Sequence, residues 1–432
     1  MRMRDVLSVV VLAASACQFE RPADVGTPVD AAPPSECEAS TQRCEGELFT
    51  QCGDDGRFVR HDVPNGSQNG TAATLVMHEY VCPLGCHATE PRCLDVDPSN
   101  GLESVLDEMD AQPPTVDLVI DDPSGTTTIV DLGGPGSTSV SLAFANGTTV
   151  TVPAEVWAQP DARPLRVIKV RSLTIAAGSR LKFISGNPVA IVSLFDIRIA
   201  GTLDYAGGGN TGTSVRVGCD VGMSFPASAG AGNLTAGGSS STGLSGGVAL
   251  TSSPEMVPLE GGCSSTIGIG GGGFQLVSRR RVTLTATGVI DVSGRRGQGV
   301  ATSPIFVSGG GAGGTLLIEA PGIGMSSGAL IIGRGGSGAA GNNVTLAYSN
   351  GLSGNHDLQA ADVPGGMCPG CNSVGGAGGT EHSVPGAGLG SGDDVAGGGG
   401  SVGRCLLRSR AVATPPQGSM KIAVMFRFIA VR

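Results

Sequence analysis

IVSLFDIRIAGTLDYAG at residues 191–207, LVSRRRVTLTATGVIDVSG at 276–294 and LIEAPGIGMSSGALIIG at 317–333 read as three copies of one unit. Each copy is a strand, a short polar step, a glycine, a second strand and a closing glycine. A Gly-rich tract follows each one: Gly207-Gly208-Gly209, Arg295-Arg296-Gly297 and Arg334-Gly335-Gly336. A half-unit precedes them in residues 170–178 (VRSLTIAAG), continued by Leu181-Lys182-Phe183-Ile184. Strands of four or five residues that alternate Ile, Leu or Val with Ser, Thr or Arg have one apolar face. Stacking such units buries a continuous column, which is how repeat architectures become stable. The expected fold is all-β: a right-handed parallel β-helix-like solenoid with long Gly-rich loops over residues 166–432. The alignment puts Asp204, Asp291 and Ile331 at one repeat position. The copies start at irregular intervals, so the Gly/Ser tracts, such as 227–247 and 375–403, are expected to loop out between strands with almost nothing to bury.

Composition agrees with strands. Glycine accounts for 72 of 432 residues, aromatic residues for 3% and charged residues for 15%. With so few large rings, Val, Ile, Leu, Thr and Ser must supply the packing, and these suit pleated surfaces. The net charge of −10 is uneven: residues 1–122 hold 22 acids and 7 Lys/Arg, the remainder 15 acids and 20 Lys/Arg. An acidic front argues against nucleic acid as a partner. The basic excess behind it, including Arg279-Arg280-Arg281 and Arg295-Arg296, suits anionic glycans or lipid headgroups, and equally an ordinary solvated face.

Working outward, the segment 420–431 (MKIAVMFRFIAV) is expected to supply a last strand or two covering the end of the stack. Before the repeats, residues 98–165 hold one short helix and several strands. In PSNGLESVLDEMDAQ (98–112), Leu102, Val105, Leu106 and Met109 share a helical face, with Asn100 as the cap. Strands are expected at 116–120, 126–132, 140–144 and 148–152, with Asn146-Gly147 as a hairpin turn.

Residues 37–97 form a small Cys-rich module with Cys37, Cys44, Cys52, Cys82, Cys86 and Cys93, in which a strand precedes a tight turn at 52–57. So short a piece buries too little to fold alone, and three disulfides would each add about 2–4 kcal/mol. Fifteen connectivities are open. A zinc site on Cys82, Cys86, His87 and Cys93 is the competing reading, disfavoured by an oxidising compartment.

That compartment follows from the N-terminus. Residues 1–16 carry a basic start (Arg2, Arg4), an apolar run VLSVVVLA and the small residues Ala14-Ser15-Ala16 before Cys17. This resembles the lipobox of bacterial lipoproteins, with Ala14 where Leu is usual. The resemblance implies a signal peptide cut before Cys17, lipid attachment at Cys17 and, with Gln18 in place of Asp, an outer-membrane or cell-surface destination. A plain secretory signal is the alternative. Residues 17–36, rich in proline, read as an extended tether.

Taken together, Cys82-Pro83-Leu84-Gly85-Cys86, then Pro98-Ser99-Asn100-Gly101-Leu102, then units closing as in residues 201–207, resemble the large uncharacterised surface proteins of myxobacteria and related δ-proteobacteria. The resemblance spans nearly the whole mature chain and implies a surface lipoprotein; it assigns no catalytic residue.

No catalytic or metal frame emerges from the residues, and no cofactor is implied. Asp204 and Asp291 could form a stacked carboxylate pair, but strand-ending aspartates more simply hold the following turn. Asp393-Asp394 and Glu381-His382 sit in Gly-rich segments, and the five histidines lack ligand spacing. Cys368-Pro369-Gly370-Cys371 has C-x-x-C spacing without a βαβ setting. Cys219, Cys263, Cys368, Cys371 and Cys405 are odd in number, so one free thiol or one intermolecular bridge is expected. The functional expectation is a lipid-anchored cell-surface protein of structural or adhesive type, binding matrix, glycan or neighbouring cells without catalysis. The alternative is a β-helical polysaccharide lyase or hydrolase, against which stands a supply of one Trp and three Tyr for sugar stacking.

Overall fold

The computed structural model describes residues 95–428 except 112–113, 115, 123–126, 132–137, 145–146, 185–186, 208–225, 251–254, 303, 355–362 and 411–419, and five strands before residue 95. Those five are β1 (Gln42–Glu45), β2 (Leu48–Gln51), β3 (His61–Pro64), β4 (Thr74–Met77) and β5 (Glu79–Val81). They pair antiparallel as β1-β2-β5 and β3-β4. The strand expected before the turn at Cys52 is β2. Cys44 lies in β1, whereas Cys17, Cys37, Cys52, Cys82, Cys86 and Cys93 lie outside the described residues.

The described chain is all-β apart from helix α1 (Glu103–Ala111). After α1 come β6 (Asp117–Ile120), β7 (Thr127–Asp131), β8 (Ser139–Ala143) and β9 (Thr149–Trp157). Next are β10 (Leu165–Val170), β11 (Ser172–Ile175), β12 (Arg180–Ile184), β13 (Val189–Ser193), β14 (Ile197–Ile199) and β15 (Thr202–Asp204). The series goes on with β16 (Gly273–Ser278), β17 (Arg281–Leu284), β18 (Val289–Asp291), β19 (Gly299–Val300), β20 (Phe306–Val307), β21 (Thr315–Glu319), β22 (Gly322–Met325) and β23 (Leu330–Ile332). It ends with β24 (Ala340–Asn342), β25 (Tyr348–Ser349), β26 (Asp394–Ala396), β27 (Arg404–Ser409), β28 (Met420–Lys421) and β29 (Ala423–Phe428).

Every third strand of the repeat returns to the same parallel ladder. The first ladder is β10-β13-β16-β21-β27-β29. The second is β6-β11-β14-β17-β22, and the third β7-β12-β15-β18-β23-β28. One pass of the chain visits them in turn, as in β10, β11, β12 and then β13, β14, β15. Glycines make the corners passable. Gly178 has φ of 81°, and Gly201 lies so close to the carbonyls of Ala176 and Ser179 in the preceding pass that a Cβ would overlap them.

Between the ladders lies the main core. Leu118, Leu173, Ile197 and Val282 come from the second ladder, Ile168, Ile191, Leu276 and Ile318 from the first, and Leu181, Leu203, Ile290 and Ile331 from the third. Phe183, Tyr205 and Phe274 meet at one level, ring centroids 5.1–6.2 Å apart. Each fully buried Leu or Ile contributes about 1.5–3 kcal/mol.

Register follows the sequence repeat closely for two copies and slips at the third. Ile191 pairs with Leu276 as aligned, but Leu276 pairs with Ile318, not Leu317. The second and third ladders return to an offset of 41 residues, and there Ile332, not Ile331, stands beside Asp291. A slip of one residue turns a side chain to the opposite face, and Leu317 indeed packs on the outside of the ladder.

The expected alternation of apolar inward with Ser, Thr or Arg outward holds on β11, β14 and β17 of the second ladder and fails on the first. There β13, β16 and β21 are buried throughout. The reason is α1 and the turn before it, whose Leu102, Val105, Leu106 and Met109 pack on the outward Val167, Ala190, Val192, Val277, Leu317 and Leu406. A sheet covered on both faces is apolar on both. Asn100 does not cap this helix: at φ 63° its amide donates to Gln275 Oε1 at 3.0 Å, while Val105 and Leu106 N–H turn to the Leu102 carbonyl.

The two ends of the stack differ. Antiparallel β8 and β9 bridge β7 to β10, and their Val140, Leu142, Val152 and Ala154 close the core there. At the other end β28 and β29 finish the third and first ladders, as expected of the closing segment.

The Gly-rich tracts were expected to loop out with nothing to bury; where described, they are packed. Residues 397–403 show how. Gly397, Gly400 and Gly403 donate to Ala339, Gly336 and Gly333, while Gly398 and Ser401 donate to Ser228 and Ala231. Gly399 donates to Gly386. In return Gly310 and Gly313 donate to Gly398 and Ser401, Gly376 and Gly379 to Gly397 and Gly400, and Gly238 to Gly399. Every third residue faces the same neighbour, the periodicity of an extended threefold chain of polyproline II type, which has no hydrogen bonds of its own. Such chains satisfy their peptide groups only by lying side by side. A Cβ on Gly399 would overlap the Ala377 carbonyl oxygen, so glycine is what permits the approach.

Among the five later cysteines, Cys368 and Cys371 are joined, Cys263 is disulfide-bonded, and Cys405 is free. Cys405 points into the main core, where burial pushes its thiol far above the ordinary range. Cys219 lies outside the described residues.

Candidate functional site

Asp204 and Asp291 are register neighbours at the ends of β15 and β18. Lys182 flanks the first and Ile332 the second. Both carboxylates are buried, at 1% and 0% exposure. Asp204 Oδ1 accepts the Ala206 N–H at 2.8 Å and Oδ2 accepts Arg180 Nε at 2.9 Å. Asp291 Oδ1 accepts the Ser293 N–H at 3.0 Å. Each aspartate therefore ends its strand by holding the amide two residues on, the arrangement its residue type favours at a turn. A general acid or base must reach a substrate proton, whereas Oδ1 of each aspartate is engaged by the backbone that follows it and Asp204 Oδ2 by Arg180.

A further buried carboxylate was not anticipated. Glu319, on the outward side of β21, is fully buried and accepts Ser99 Oγ at 2.9 Å, Gln275 Nε2 at 2.6 Å and Arg408 Nη1. Burial pushes its carboxyl above the ordinary range, with Arg408, Ser99 and Gln275 pulling the other way. The network ties the segment before α1 to three neighbouring strands. Its only signal in the sequence is a polar residue in an otherwise apolar strand.

Glu381 and Arg334, from two Gly-rich segments, also meet. Arg334 Nη2 and Lys421 Nζ each stand 3.3 Å from Glu381 Oε1. His382 beside them is exposed and Asp394 accepts from Asn342 at 2.7 Å, so the acids of these segments hold backbone and neighbours together. Among the described residues no three His, Cys, Asp or Glu gather as a metal site, and no helix is long and apolar enough to cross a membrane.

Two surfaces remain open. A shallow concavity of about 780 Å³ beside β29 is lined by Glu255, Arg408, Met425, Phe426 and Arg427, with Glu255 and Arg427 already paired at 2.8 Å. The outer side of the second ladder presents Arg198 and Arg281 exposed, with Ser172, Thr174 and Thr283 half-buried between buried aliphatics. At its corner the Arg171 guanidinium lies 5.5 Å from the Phe195 ring centroid. Of the basic run noted in the sequence, Arg281 falls on this face, whereas Arg279 pairs with Asp95 at 2.7 Å.

No protein-family model, curated protein or solved structure matches the chain.

Proposed function

We propose that this chain is a lipid-anchored protein of the bacterial cell surface, structural or adhesive in action, that contacts extracellular glycan, matrix or neighbouring cells without catalysis. Its stacked passes are taken as a right-handed β-helix-like solenoid, held off the membrane by the tether after Cys17. The observation that carries the reading is the engagement of the two register-paired aspartates: a β-helical enzyme would need them open, and both hold turns. Support also comes from the long ladders and the Gly-rich bundle, which give a rigid body with broad outer faces. The anchor rests on the Ala14-Ser15-Ala16-Cys17 sequence.

Expression of the full chain in a diderm bacterium, with labelled palmitate, is expected to label the protein and to expose it to protease on intact cells. Cys17→Ala should abolish labelling. Labelling that persists in Cys17→Ala would sink the anchor. Sustained release of reducing sugar from acidic polysaccharide, lost on Asp204→Asn/Asp291→Asn, would favour the enzyme alternative instead.

A further inference from the structure

We propose that the outer face of the second ladder binds a linear anionic polysaccharide, with Arg198 and Arg281 as its main contacts and Arg171 and Arg280 at its corner. This rests on the adhesive reading above and names its ligand class. The first ladder is covered outside by α1, and the third passes into the buried Asp204 and Asp291. The second keeps its outward residues exposed or half-exposed on every strand from β6 to β22.

The strands hold the arginines in place. Arg198 sits between buried Ile197 and Ile199, and Arg281 precedes buried Val282. Among the described residues neither enters an ion pair. Arg281 lies along β22 because the outward positions there are Gly322 and Gly324; a Cβ on Gly324 would come within 3.0 Å of Arg281 Nη2. The lane beside the guanidinium is thus free of side chains. At the corner, Arg171 rests on Phe195 with Asp117 at 3.9 Å, and Asp196 interacts electrostatically with Arg280 and Arg281.

A planar guanidinium offers paired donors that match a carboxylate or sulfate. Neighbouring parallel strands lie about 4.8 Å apart, so a chain laid across them meets donors and hydroxyls at short intervals. Such contacts add because the second forms within one complex. Single-stranded nucleic acid fits less well: among the described residues of this face no ring stands open for base stacking, since the Phe195 face is already occupied by Arg171.

The test uses the full chain in detergent against immobilised polygalacturonate and dextran sulfate, with neutral dextran and duplex DNA as comparisons. Arg198→Gln/Arg281→Gln is compared with Lys182→Gln/Arg296→Gln, which removes the same charge from other faces. The expected result is salt-sensitive binding of either polyanion, weakened about tenfold or more in the first variant and less than about twofold in the second. Absence of polyanion binding, equal loss in both variants, or equally tight binding of DNA would overturn the proposal. Adhesion to neutral glycan with no polyanion binding would overturn it alone, leaving the surface reading. Failure of palmitate labelling would do the reverse. An unchanged melting temperature in both variants shows that the fold is intact.

Discussion

The ladders and the glycine bundle are two interiors in one chain, built on opposite uses of the Cβ position. In the ladders, strands stand apart and inward aliphatic side chains fill the space between three sheets. In the bundle the peptide groups themselves are the filling, and neighbours such as Gly398, Gly310 and Ser228 meet backbone to backbone. Ladder cores tolerate swaps that conserve volume. At the bundle's points of closest approach there is no side chain to exchange, and an atom added at a glycine such as Gly399 meets a carbonyl that cannot rotate away. Burial in this protein is therefore not proportional to hydrophobicity.

The contrast can be broken most directly at Gly399. Alanine there is expected to cost more than about 3 kcal/mol, through overlap with the Ala377 carbonyl and loss of adjoining hydrogen bonds. Urea unfolding checks this, and a loss below about 1 kcal/mol would return the segment to the status of a loop. In the ladders the matching insult is removal: Leu276→Ala should cost about 3 kcal/mol, whereas Leu276→Met should cost less than about 1.5 kcal/mol.

Where the two interiors are joined, Glu381→Gln is expected to lose about 2 kcal/mol at neutral pH. Desolvation raises the Glu381 carboxyl, but Arg334 and Lys421 outweigh it and hold the group below its ordinary range. With a depressed folded value, the contribution is complete above about pH 4.3 and lost as pH falls through the folded pKa. Melting temperatures taken down the acid limb should therefore converge for the two proteins; parallel curves would remove the ion pair from the account. The smallest effect is set for Gly243, at φ 82° with open space around it. Alanine there should cost about 1 kcal/mol, from the backbone alone.

Much of the ladder half was legible because its signals are side chains. The repeat at residues 191–207 and 276–294 fixes true register partners, and the spacing of Leu102, Val105, Leu106 and Met109 marks the one helix. The third copy slipped because LIEAPG and LVSRRRVT differ in length at the polar step, and pattern matching cannot see which leucine a neighbouring strand selects. Strand alternation on the first ladder was obscured by α1, a long-range partner. The bundle was illegible for a deeper reason: a measure that counts apolar side chains assigns glycine nothing to bury, although its backbone can be enclosed. At the candidate site, the turn-holding role of Asp204 and Asp291 was readable from residue type and position. Glu319 was not, since its partners Ser99, Gln275 and Arg408 come from distant parts of the chain.

The bundle is written in instalments, inserted after successive passes of the ladders, and Ser401 must find Ala231 while Gly398 finds Ser228. Contacts so far apart in the chain are slow to form unless something shortens the search. Each completed pass does so, by bringing the two ends of an insertion to adjacent corners. The ladders thus act as a clock for the bundle: in refolding, amides such as Gly313 and Ser401 should gain exchange protection only after those of Ile191 and Leu276. Amides protected in the reverse order would make the bundle the nucleus and the ladders its followers.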